Sequence, residues 1–338
     1  MAIVRFSDIL GQENALGELR ASLAVGRLNH AYLFEGAAGT GKYTLARALA
    51  ARFLCLRPQG DSPCGDCPSC RMLNENNHPD FLELPRDGRY LKIDLFAERP
   101  GGENGGQEPV LNFMRYKPLL EHGRVCIIPE AERMEEAAAN AFLKTLEEPP
   151  AGTLLIMTAC ARERLIGTIL SRCRRIIVKP LAAEAIAAEL ARRQAPGREN
   201  PLGPQALAAL AQMAEGSLGI ALRLLETEAL VDWEKINSGW RDFTPATAVA
   251  WAEGILDELA GLKTGNDKRA RALYWLDMAA LKVRRLARQG AVSGLGTADA
   301  LEKLWNAGER LNANVRPELV CLTAALGVFA ALRGTGKG

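Results

Sequence analysis

Gly36-Ala37-Ala38-Gly39-Thr40-Gly41-Lys42-Tyr43-Thr44 joins a glycine-rich turn to a lysine and the start of a helical pattern. Glycines let the backbone N–H groups converge on one point, and a helix start adds its positive dipole end there, so the segment suits a phosphate. It matches the loop pattern G-x-x-x-x-G-K-[ST] at every position but one. Tyr43 stands where a Ser or Thr hydroxyl would hold Mg²⁺. A phenol is too long and rigid to place its oxygen there. Thr44 comes one residue late, which on a helix turns it about 100° away. Gly36, Gly39, Gly41, Lys42 and Thr44 are therefore the candidates for holding a phosphate.

Hydrolysis would need a second strand ending in acids, one to hold Mg²⁺ and one to activate water. Val125-Cys126-Ile127-Ile128 is that strand, but Pro129 stands where the metal-holding acid belongs, and only Glu130 remains. Glu130 reads equally well as an acid at a helix start, favoured by the dipole. With metal contacts missing at both Tyr43 and Pro129, hydrolysis of Mg·ATP is not expected. Lys42 and the glycines still permit ATP or ADP to sit in the loop. Arg172, in Ser171-Arg172-Cys173, reads in two ways: as a solvated surface charge, or as an arginine finger completing a neighbour's phosphate site.

Four of the eight cysteines, Cys55, Cys64, Cys67 and Cys70, lie within sixteen residues. Two-residue spacers let neighbouring sulfurs take adjacent corners of a tetrahedron, which suits Zn²⁺ in a closed, structural Cys₄ shell. The segment also holds Arg57, Pro58, Gly60, Asp61 and Pro63, a polar stretch that needs a staple. An iron–sulfur cluster is the lesser reading.

The elements that must position these residues follow from periodicity. Strands are expected at Ala31 to Phe34, Phe81 to Leu84, Val125 to Ile128, Leu154 to Thr158 and Arg175 to Val178, alternating with helices, which predicts an α/β domain with a parallel sheet. Tyr43 to Leu54 reads as the helix after the loop. Pro100 to Gln107 reads as a surface linker. After Pro180 the pattern turns helical: Ala182 to Arg193, Pro204 to Ala214 and Leu218 to Leu230, with Pro196 to Pro201 breaking the first two. Further helices run to Leu332, with breaks near Thr244-Pro245 and Ser293-Gly294, and Gly334 to Gly338 should fray. The expected division is 1–180 for the α/β domain, 181–230 for a small helical lid and 231–338 for an all-α C-terminal domain.

The 338 residues are 48% hydrophobic and 24% charged with net charge +2. No gross basic excess demands nucleic acid, so any DNA contact must be local or shared. The N-terminus lacks the charged start and apolar run of a signal peptide, and no apolar stretch approaches a membrane span, so a cytoplasmic protein without a membrane partner is expected.

Taken together, several segments resemble the clamp-loader family of the AAA+ superfamily. They are Phe6-x-x-Ile9-Leu10-Gly11-Gln12, the cysteine insert, Asn140 to Pro150 (NAFLKTLEEPP) and Thr168-Ile169-Leu170-Ser171-Arg172-Cys173. The resemblance covers the whole chain and is strongest over residues 6 to 180. His78-Pro79-Asp80-Phe81 looks like the delta-prime branch found in bacterial DNA polymerase III. That resemblance implies a pentameric assembly of gamma/tau motor subunits, a delta subunit and a rigid, non-hydrolysing member, which opens the sliding clamp and closes it on primer-template DNA. It implies that Arg172 serves a neighbouring motor's ATP site and that Thr158 occupies the sensor-1 position. It also implies that Gly219 replaces a motor's sensor arginine, and that the last helices, with Leu311 to Asn314 and Leu319 to Leu326, form a collar. Two other readings stay open: an ATP-hydrolysing gamma/tau-like motor, and a stand-alone zinc-dependent DNA-binding module. Near-neutral charge and the lack of a recognition helix with clustered Arg and Lys weigh against the second.

Overall fold

The structure, a computed structural model, describes residues 3–86, 90–98, 108–120, 122–160, 162–194, 202–226, 232, 233, 236, 240, 244–312 and 315–333. The chain divides into two compact units, Met1–Arg223 and Leu224–Gly338.

The first unit is built on a five-stranded sheet: β1 (Ala31–Glu35), β2 (Phe81–Glu83), β3 (Arg124–Ile128), β4 (Thr153–Ala159) and β5 (Arg174–Ile177). All pairings are parallel and the order is β2-β3-β4-β1-β5. Each expected strand is present, with ends shifted by about one residue, the usual scatter of element boundaries.

Successive side chains of a strand point to opposite faces, so the sheet carries two cores. Tyr32, Phe34, Val125, Ile127, Leu154, Ile156 and Ile176 pack on one face with Leu45, Ala48 and Leu49 of the helix Lys42–Leu54. Ala31, Leu33, Cys126, Ile128, Leu155 and Met157 pack on the other with Phe142 and Leu146 of the helix Glu136–Glu147. Burial on both faces explains why the strands read as continuous apolar runs.

This order sets the site. From β1 the chain leaves toward β2 on one side, and from β4 it crosses to β5 on the other. In open parallel sheets the crevice beyond the carboxyl ends of such strands is where ligands bind. The loops after β1, β3 and β4 carry Gly36 to Thr44, Pro129-Glu130 and Cys160.

Beyond β5 the unit continues as helices Ala183–Arg193 and Pro204–Met213 and the start of a third, Leu218–Glu226, within which the division after Arg223 falls. The expected extension of the last to Leu230 lies outside the described residues, as do Pro100 to Gln107, the break at 196–201 and the last five residues.

The second unit holds helices Pro245–Ala260, Gly265–Arg288, Gly294–Asn312 and Pro317–Arg333. The expected breaks at Thr244-Pro245 and Ser293-Gly294 are helix starts. Thr244 caps the first helix by accepting from the Thr247 N–H, with Pro245 in its first turn. A further break at Gly261 to Thr264 splits two long helices, and there the Thr264 hydroxyl accepts from the Asp267 N–H. Trp240, Trp251 and Phe329 meet ring to ring at 4.9 to 6.3 Å in this unit's core. No described helix is long and apolar enough to cross a membrane.

Candidate nucleotide and metal sites

Gly36 follows β1 directly, and its N–H donates to Ala159 O at 3.2 Å, fastening the loop to the end of β4. A side chain at Gly36 would collide with Val178 O, 2.1 Å from an ideal Cβ. Gly39 and Gly41 have φ of 71° and 97°, the left-handed region that glycine enters freely. The helix Lys42–Leu54 begins at once, and the N–H groups of Gly39 to Thr44 have no acceptor among the described residues. These groups line one wall of a cavity of about 360 Å³, with Pro129, Glu130, Thr158, Cys160, Gly219 and Arg86 around it. All the nucleotide candidates except Gly36 line that cavity, Thr44 included.

Lys42 is almost fully buried. Its ammonium donates to Gly36 O at 2.8 Å, Ala37 O at 2.7 Å and Cys160 Sγ at 3.1 Å. Two of its N–H groups thus rest on the loop's own carbonyls and the third on the thiol that follows β4. Thr158 presents its hydroxyl to the backbone N–H of Glu130 at 3.0 Å, which ties the ends of β3 and β4 together. Glu130 itself sits at φ 48° and its carboxylate accepts from Arg133 Nη1 at 3.1 Å.

Tyr43 lines the cavity but directs its hydroxyl toward β2. Its hydroxyl accepts from Arg47 Nη1 at 3.1 Å and bonds Glu83, at the end of β2. Burial first, then the Glu83 carboxylate, pushes the phenol above its ordinary value. The Arg86 guanidinium lies over the Tyr43 ring, 4.4 Å from its centre. Sequence reasoning missed Arg86 and Cys160. Both follow the carboxyl end of a parallel strand, and that placement was the available signal.

Arg172 lies remote from Lys42 in the chain's topology, just past the short helix Gly167–Leu170. Its Nη1 donates to Thr168 O at 2.9 Å and Ser171 Oγ at 3.1 Å, and its Nη2 to Glu147 Oε1 at 2.6 Å.

The cysteines converge. Cys67 is the N-cap of the helix Pro68–Asn74 and Cys70 lies in its first turn. The sulfurs of Cys55, Cys64, Cys67 and Cys70 all lie within 4.8 Å of one another, with Cys64 and Cys70 at 3.9 Å. A tetrahedron with zinc–sulfur bonds of 2.3 Å has edges of roughly 3.8 Å, so the donor set fits that ion. The N–H groups of Cys64, Cys67 and Cys70 point at the sulfurs of Cys55, Cys64 and Cys67, as outer-sphere donors do around a thiolate-bound metal.

A buried chain of polar groups joins this module to the sheet. Ser69 Oγ donates to Leu54 O at 2.7 Å and pairs with His78 Nε2 at 2.9 Å, while His78 Nδ1 accepts from the Asp80 N–H at 3.1 Å. The fully buried Asp80 carboxylate accepts from the Leu119 and Leu120 N–H groups at 2.8 and 2.7 Å and faces Arg124 Nε at 3.3 Å. His78-Pro79-Asp80 is thus a structural pin.

A parallel sheet with a phosphate loop after β1, a polar residue at the end of β4 and a helical segment behind the loop defines an AAA+ P-loop domain. Residues 11–182 match the family described as DNA polymerase III, delta subunit. The DNA polymerase III subunit delta' of Escherichia coli K12 is 32% identical over 262 residues, covering 77% of this chain and 71% of that one. The subunit delta' of Bacillus subtilis is 37% identical over 176 residues, 52% of this chain and 50% of that one. The subunit tau of Salmonella typhimurium is 30% identical over 279 residues, 80% of this chain but 41% of tau, so this chain spans less than half the length of that relative. The chain belongs to the clamp-loader family of DNA polymerase III.

Proposed function

We propose that this chain is a non-motor, delta-prime-type subunit of the clamp loader, helping to load the sliding clamp onto primer-template DNA. The observation that carries this reading is the loss of both metal-holding side chains, at Tyr43 and Pro129, with the Tyr43 hydroxyl engaged by Arg47 and Glu83. A loop without those ligands has no means of placing Mg²⁺ against a γ-phosphate. Arg172 acts instead on the ATP of an adjacent gamma/tau motor. The Cys₄ module holds a structural zinc, residues 181–230 serve as a lid, and residues 231–338 serve as the collar that joins the other subunits. The subunit works in the cytoplasm.

Reconstitution with motor and delta subunits tests this reading. The loader should require this chain for clamp loading, while the chain alone should not turn over ATP. The second reading, a gamma/tau-like motor, draws on the retained Lys42 and on the similarity to tau. ATP turnover by the isolated chain, abolished by Lys42→Ala, would establish it in place of the first.

A further inference from the structure

The cavity beside the loop contains an unassigned cation. Arg86 follows β2, lines the cavity with Gly39 to Thr44, and stacks on the ring that replaces the metal-holding hydroxyl. The charges around it are asymmetric. Arg193 also lines the cavity, but it is paired with Glu189. Glu130 is paired with Arg133, and Asp8 accepts from the Arg5 N–H and the Ser7 hydroxyl. Lys42 and Arg86 have no carboxylate within 4.0 Å among the described residues. Two unneutralised cations and a row of open N–H groups therefore face one space.

In a hydrolytic loop Mg²⁺ offsets the charge of the terminal phosphates and is held by the loop hydroxyl and an acid. Here both holders are gone, and a guanidinium stands on the substituted residue. A guanidinium is always charged, matches two phosphate oxygens at once and stacks on aromatic faces. Tyr43 gives it a platform, and the Arg47 and Glu83 contacts fix the ring. We infer that Arg86, stacked on Tyr43, replaces the divalent cation, so that this cavity holds a nucleoside di- or triphosphate without metal. The inference rests on reading the loop as a non-hydrolysing nucleotide site.

The test is calorimetric titration of the full chain with ADP, in EDTA and in excess MgCl₂. The affinities should agree within about threefold, because no protein ligand to the metal contributes. Arg86→Ala should weaken ADP binding about tenfold or more in EDTA, since a charged phosphate contact is lost. Arg86→Lys should recover only part, because an ammonium neither stacks nor forks. Tyr43→Leu, which removes the aromatic platform, should weaken ADP binding in EDTA in the same direction as Arg86→Ala. Arg86 is exposed, so its variants should melt at the wild-type temperature without ADP, which separates loss of binding from loss of fold. Pyrophosphate should displace ADP poorly, and equal displacement would reassign the site to free polyphosphate and overturn the inference. Binding that needs Mg²⁺, or that ignores Arg86→Ala, would overturn it while leaving the loop a nucleotide site. No ADP binding in either buffer would remove both, with the role of Arg172 still open to measurement on the neighbour's turnover.

Discussion

Arg172 Nη2 donates to Glu147 Oε1 across 2.6 Å, and both side chains stay partly open to solvent, at 32% and 49% exposure. The guanidinium is thus held from one side by Glu147 and from another by Thr168 O and Ser171. Its Nε–H and one Nη2–H remain without a partner among the described residues. A half-exposed ion pair of this kind contributes about 0–1 kcal/mol to stability, so its geometry matters more than its energy.

Arg172→Ala should therefore leave the chain folded and able to join the loader. It should slow ATP hydrolysis at the one adjacent motor site by about tenfold or more, since a finger in trans offsets charge in the transition state. Arg172→Lys should rescue little. Clamp loading at the wild-type rate by a loader carrying Arg172→Ala would reduce the residue to a surface ion pair.

Metal analysis of the purified chain should find one zinc per molecule and no iron–sulfur absorbance. Cys67→Ser should lower the melting temperature by on the order of 10 °C, because a structural zinc contributes its binding energy to folding. An unchanged melting temperature with full zinc content would remove Cys67 from the ligand set.

ATP turnover by the isolated chain should stay at background. Tyr43→Thr should not restore it, because Pro129 still provides no acid for the metal. A burst of phosphate release from the Tyr43→Thr chain would show that the loss at Pro129 is tolerated.

His78 should make stability depend on pH. Burial holds its imidazole below the ordinary value, with the Asp80 carboxylate opposing that shift. A depressed histidine is neutral in the folded chain while the unfolded chain takes up a proton, so its contribution is complete above the ordinary value of about 6.5. It should be lost as pH falls below that value toward the folded one. Denaturant midpoints from pH 8 to pH 5, compared with those of His78→Gln, would check this, and parallel curves would contradict it.

Much of the site was legible in the sequence, because its markers are chemical types at fixed spacing. Gly36, Lys42, Tyr43, Pro129 and the cysteines each declare a role by what they can or cannot coordinate. The strands were legible because both faces of the sheet are buried and each strand is a short apolar run. The partners of these residues were not. Arg86 reaches Tyr43 from another strand, and Glu147 reaches Arg172 across 25 residues. Neither pairing has a local spacing to betray it. The break at Gly261 to Thr264 was missed although it has local markers: Gly261 and Gly265 flank it, Thr264 caps the next helix, and the polar run Asn266 to Arg269 delays that helix's buried face until Ala272.

The carbonyl of Gly39 accepts from the Gly219 N–H at 3.2 Å, and an ideal Cβ on Gly39 would lie 2.1 Å from Ser217 Oγ. The helix that begins at Leu218 is therefore seated against the phosphate loop itself, with two glycines as the only backbone small enough to meet there. Any swing of that helix must break the bond and reshape the loop in the same stroke. Seating of this kind couples the two: the loop and the first turn of the helix shift together or not at all.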